Sequence, residues 1–167
     1  PVARPAAIVR RPPPPLPHVA LVEIEHRTGG PTVVLDTNVF LSATFARPGQ
    51  SAAILRRAAS GEFRLVASEA MWDEVHQVLT TVYEIPPDDA RRWVKLLRAP
   101  VEMLPAPVPR VRQGGRTLSD GARRVLDAAV AARAHYLVTG DPELLKLGLV
   151  QGVEVVTPLS FVALHGE

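Results

Sequence analysis

Four acids fall where residue type and spacing could do chemistry. Asp36 ends the apolar run "TVVLD" and is followed by Thr37 and Asn38. Asp141 closes "LVTGD", Glu74 lies in "EAMWDEVHQVL", and Asp120 opens "DGARRVLD". A carboxylate at the end of a buried strand can simply cap the turn that follows. It can also belong to a site, because open α/β sheets bind ligands outside the carboxyl ends of their strands. Asp36 and Asp141 each follow a strand-like run, so both fall on that edge of a parallel sheet. Helices that return from parallel strands begin at the same edge, which adds Glu74 and Asp120. Oxygen ligands without sulfur or a histidine cluster select hard cations, Mg²⁺ or Mn²⁺. Such ions, held by carboxylates, activate water and stabilise a leaving oxygen in phosphodiester hydrolysis.

The elements that must position these acids follow a strand–helix rhythm from residue 31 onward. Residues 32–36 form a short, wholly apolar run into the acid, the pattern of a buried parallel strand. Residues 49–61 read as an amphipathic helix closed by Gly61, and 63–68 as a second strand. Ser68 can then cap a helix over 69–83. Residues 86–99 begin with prolines followed by acids, which suits a helix N-terminus. Third, fourth and fifth strands are expected at 101–104, 135–140 and 153–157. A Pro/Gly-rich loop runs to about Thr117, a helix spans 119–134, a short helix ends at Gly148, and a last helix follows residue 157. Alternation of this kind predicts an α/β fold: a Rossmann-like α/β/α sandwich with a central, mostly parallel sheet.

The chain has 167 residues, enough for one domain with a real core. It is 47% hydrophobic but only 5% aromatic, which suits helices on a sheet better than an aromatic-rich β-sandwich. It contains no cysteine, which excludes disulfides, thiolate metal sites and cysteine nucleophiles and is compatible with a reducing, cytoplasmic interior. No apolar run reaches the roughly 18 residues of a membrane helix, and the start lacks a signal peptide's apolar segment. Formal net charge is +2, and the basic side is mostly arginine in clusters. Arginine holds phosphate with a bidentate fork; Arg116, Arg123 and Arg124 sit beside the proposed acids and are candidates to bind RNA phosphates. Residues 1–30 differ from the rest: seven prolines lie between Pro1 and Pro17, so 1–18 read as an extended arm and 19–28 as an optional edge strand. The main domain is expected over 31–167.

"VVLDTNVFLSA", "ASEAMWDEVHQVL", "LDAAVAARAHYLVTGDPELL" and "GVEVVTPLSFV", in this order, resemble the PIN domain family, close to its VapC-like toxin nucleases. The resemblance covers roughly residues 32–164. It implies a Rossmann-like fold and Mg²⁺- or Mn²⁺-dependent RNA cleavage, and it extends to an antitoxin protein and a homodimer as partners. By position, Asp36 becomes the first metal ligand, Glu74 the acid of the helix after the second strand, and Asp141 the acid after the fourth strand. Asn38 and Thr139 match polar residues that support those ligands. One position departs from the pattern: Ala122 stands where related sequences have an aspartate. Asp120, two residues earlier, and Asp127, five later, are the available substitutes; Asp127 opens a stretch similar to "DAxIAAxA". Seven residues apart on one helix, they lie about 10 Å from each other and do not both reach one ion.

Plainer readings stand beside these. Asp36 and Asp141 are good cap residues, Glu74 can be a solvated helix residue, and His76, His135, Trp72 and Trp93 are expected to be structural or dimer contacts. Asp36 in "LDTNV" also resembles the nucleophile loop of haloacid-dehalogenase-like phosphatases, with Lys146 as the downstream lysine. A third reading is a PIN-like module that binds RNA or a partner with a degraded metal site.

Overall fold

The computed structural model describes residues 30–45, 49–112 and 117–165. The expected arm and its edge strand, and Arg116, lie outside the described residues. Along the chain run β1 (Thr32–Leu35), α1 (Thr37–Phe45), α2 (Gln50–Ala59), β2 (Arg64–Ala67), α3 (Glu69–Thr81) and α4 (Pro87–Arg98). They are followed by β3 (Val101–Met103), α5 (Asp120–Ala131), β4 (Tyr136–Val138), α6 (Pro142–Leu145), β5 (Leu149–Val150), β6 (Val153–Val156) and α7 (Pro158–His165).

The strands form one sheet in the order β3-β2-β1-β4-β6-β5. All neighbours are parallel except β5 and β6. Chain order therefore runs outward from β1 in one direction through β2 and β3, then resumes on its other side with β4. The gap between the carboxyl ends of β1 and β4 is the topological switch point, where sheets of this kind bind ligands. Val33, Val34 and Leu35 are wholly buried. Successive strand residues point to opposite faces, so both faces of β1 are covered and the α/β/α layering predicted from sequence is what forms. Helix α5 packs on β1, β2 and β4, and also against α3.

Two elements differ from expectation. Residues 37–45, to which the sequence assigned no element, form α1, which starts one residue after the strand ends. Its Val39, Phe40 and Leu41 are consecutive and all buried, so no 3.6-residue alternation marked it as a helix. The second difference is β5, a two-residue antiparallel strand on the outer edge. It pairs with β6 through Gln151 and Gly152, whose φ angles of 47° and 85° are both positive. Such a two-residue turn matches the right-handed twist of paired strands. The remaining strands and helices lie where the sequence predicted them, with ends displaced by no more than three residues.

Candidate active site

The site begins with strand register. Val33, Val34 and Leu35 of β1 lie opposite Tyr136, Leu137 and Val138 of β4. The next residue on each strand is Asp36 and Thr139, so parallel pairing sets these two side by side at the switch point. The Asp36 N–H donates to the Val138 carbonyl at 2.9 Å, and Thr139 Oγ1 donates to Asp36 Oδ2 at 2.6 Å. The Asn38 backbone N–H also bonds the Asp36 carboxylate, the geometry of an acid capping α1. Capping therefore does not by itself account for the buried carboxylate, whose other oxygen is held by Thr139.

Asp36 is 6% exposed. Burial is the main cause that pushes its carboxyl above the ordinary range. The Thr139 hydroxyl opposes this, the Asp141 charge adds to it, the Asn38 N–H opposes it, and the Glu74 charge adds a little more. Asp36 therefore feels the charges of Asp141 and Glu74 across the switch point.

Asp141 is held by its own strand end. Its N–H donates to Thr139 Oγ1 at 2.9 Å, and its Oδ1 accepts from the Glu143 N–H at 2.8 Å as the N-cap of α6. Thr139, wholly buried, thus bridges the two acids through a single hydroxyl. Glu143 extends the chain of contacts, because its Oε2 accepts from the Ser119 N–H at 3.1 Å. That ties the start of α6 to the start of α5, a role that sequence reading missed. The only signal for it was an acid two residues after Asp141.

Glu74 sits in the second turn of α3 and faces α5. Arg124 Nη2 donates to its Oε2 at 3.3 Å. Gly121 lies so close that a Cβ there would meet Glu74 Oε1 at 3.0 Å. The glycine lets the carboxylate rest on the first turn of α5, a second contact that the sequence did not single out.

The remaining candidates are placed differently. Asp120 is exposed in the first turn of α5. Ser119, not Asp120, is the N-cap, its Oγ accepting from the Ala122 N–H at 3.3 Å. Ala122 itself is buried. Asp127 is buried two turns further along, and its Oδ1 accepts from the Val111 N–H at 2.8 Å. It anchors the Pro-rich loop to α5 through this bond. Arg123 is half-buried on α5. Among the described residues no group of three or more acids or histidines is gathered closely enough to hold a metal ion. Glu74 instead pairs with Arg124, Asp141 caps α6 and Asp127 bonds the Val111 N–H. The groove of about 580 Å³ between α3 and α4 is lined by residues such as Trp72, His76 and Lys95 and by none of these acids.

The fold is a doubly wound α/β domain with a buried acid at its switch point and further acids on the flanking strand end and helix. The PIN domain pattern matches residues 32–143, and the chain belongs to the PIN domain family. No curated protein sequence matches it. Among solved structures it is similar to a chain of the crystal structure of VapBC2 from Rickettsia felis bound to a DNA fragment from their promoter. That likeness has a TM-score of 0.55 at 12% identity and covers 75% of this chain and 98% of that chain.

Proposed function

We propose that this PIN domain is a VapC-like, Mg²⁺- or Mn²⁺-dependent endoribonuclease, the toxin member of a toxin–antitoxin pair. The observation that carries the reading is Asp36, buried at the switch point and loaded electrostatically by Asp141 and Glu74. The charges of Asp141 and Glu74 act on buried Asp36, and oxygen donors of this kind suit a hard divalent cation that offsets such repulsion. Asp36 and Asp141 would hold it, joined by Glu74 and by Asp120 from the exposed start of α5. When bound, the cation supplies an activated water and positive charge against the leaving oxygen. The chain's own residues do the rest. Thr139 keeps Asp36 Oδ2 and the Asp141 backbone in fixed relation, the kind of support that orients metal ligands. Arg116, Arg123 and Arg124 take phosphates flanking the scissile bond. The similar structure is a VapBC2 assembly, which supports a protein antitoxin as partner, with a homodimer as the expected state of the toxin.

The test is cleavage of single-stranded RNA with Mn²⁺, with EDTA, and by Asp36→Asn and Asp141→Asn proteins. Loss of cleavage with EDTA and in both variants, with the fold intact by circular dichroism, is expected. Cleavage that survives both treatments contradicts the reading. A second reading, an RNA- or partner-binding module without catalysis, is favoured by one observation: no three described acids are gathered for a metal. RNA binding without cleavage at millimolar Mn²⁺ would select it. Membership of the PIN family displaces the dehalogenase-like phosphatase alternative.

A further inference from the structure

The groove of about 580 Å³ between α3 and α4 has the size of a small-molecule site. Packed helices ordinarily fill the seam between them with apolar side chains. Here the seam supplies only Trp72 and Val94, and its other lining residues are charged or polar. Trp72 forms the floor: it is 2% exposed, and its ring packs on Phe40 at a centroid distance of 4.9 Å. Arg98 closes one end, its two Nη atoms donating to the Glu69 carboxylate at 3.2 and 3.1 Å. Two ring nitrogens in the groove, Trp72 Nε1 and His76 Nε2, are buried without a hydrogen-bond partner among the described residues. They belong to neighbouring turns on one face of α3. An indole N–H can only donate, and a buried one usually has a partner, so Trp72 calls for an acceptor. The charges around it narrow the choice. Arg98 is engaged by Glu69 and Arg91 by Asp88, whereas Lys95 makes no ion pair among the described residues. Asp73 also lines the groove and disfavours a second negative charge there.

We propose that this groove binds a small organic acid: one carboxylate held by Trp72, His76 and Lys95, on an apolar body that lies against Val94 and the indole. A carboxylate has two acceptor oxygens, so one meets the Trp72 N–H and the other the His76 imidazole. The Lys95 ammonium offsets their shared charge. A doubly charged phosphate would place its second charge against Asp73, and a neutral amide would leave Lys95 without its counter-ion. The site is separate from the switch point: Asp36, Glu74, Asp120 and Asp141 do not line it. It stands whether or not the domain binds a metal or cleaves RNA.

The test follows the indole N–H signals of the full chain by proton–nitrogen NMR during titration with benzoate. The chain has two tryptophans, and Trp93→Phe identifies which signal belongs to Trp72. Saturable movement of the Trp72 signal at millimolar benzoate is expected. Benzamide keeps the ring without the charge, and acetate keeps the charge without the ring; both are expected to move the signal less. Lys95→Met should weaken benzoate roughly fivefold, the scale of a partly exposed charge pair, and Asp73→Asn should tighten it. Both residues are exposed, so the variants are expected to fold, which thermal melting checks. Unchanged benzoate affinity in both variants would contradict the proposed charge recognition and overturn the site. Equal movement with inorganic phosphate would overturn the choice of a carboxylate. Movement with a glutamate-bearing peptide but not with benzoate would assign the groove to a protein side chain and overturn the small acid. No movement with any of these would mean that water serves both nitrogens, and the proposal would fall.

Discussion

Asp36 carries two roles whose energetic demands oppose each other. As cap of α1 and partner of Thr139 it is well hydrogen-bonded, yet burial and two neighbouring acids push its carboxyl above the ordinary range. A carboxyl with a raised folded-state value contributes stability in acid and loses it as pH rises through that value. Asp36→Asn keeps an acceptor for Thr139 and the Asn38 N–H but carries no charge. It is therefore expected to melt higher than wild type at neutral pH, by about 1 kcal/mol. The gain should shrink as pH falls and Asp36 becomes protonated, while Mn²⁺ binding to wild type weakens over the same fall. Melting curves across pH check both signs. Thr139 is the complementary case. Thr139→Ala leaves Asp36 Oδ2 and the Asp141 N–H without their shared partner and is expected to cost about 1–3 kcal/mol, whereas Thr139→Ser keeps the hydroxyl and most of the stability. Asp36 and Asp141 were legible in the sequence because strand ends mark them, and Thr139 because it matches a polar position of the family pattern. Gly121, Glu143 and the Arg124–Glu74 pair were not, because each depends on how one helix approaches another.

At the scale of elements, patterning succeeded where one face of an element is wet and failed where it is not. Helix α4 shows its amphipathic spacing, with Ala90 and Leu97 buried between exposed charges. Helix α1 is buried along most of its length, and β5 is only two residues long, so neither carries a usable period. The turn before β6 did carry a signal, a residue pair with glycine between apolar runs, which is how a two-residue hairpin is written in sequence. Asp127 belongs to this scale as well. Its partner Val111 lies 16 residues earlier across a Pro-rich loop, a contact no local pattern predicts. Asp127→Ala orphans the Val111 N–H and is expected to destabilise the fold by about 1–3 kcal/mol while leaving Mn²⁺ affinity unchanged. Equal loss of Mn²⁺ binding in Asp127→Ala and Asp36→Asn proteins would return Asp127 to the site.

For the molecule as a whole, the order of the strands decides where chemistry can occur. β1 and β4 are adjacent in space yet separated by most of the chain, and their shared register brings Asp36 and Thr139 together. None of the described helices is long and apolar enough to cross a membrane. The α/β class was readable because each strand run ends before a helix start, and the family resemblance because its acids fall at those ends. What could not be read was the state of the acids, since side-chain pairing across α3 and α5 is a property of the assembled fold. The central claim is that the switch point is a metal site built on Asp36. It is tested most directly by soaking crystals in millimolar Mn²⁺ and recording anomalous diffraction. A peak within coordination distance of the Asp36 and Asp141 carboxylates is the expected result. A well-ordered crystal with no peak at Asp36, or a peak held elsewhere on the chain, would contradict it.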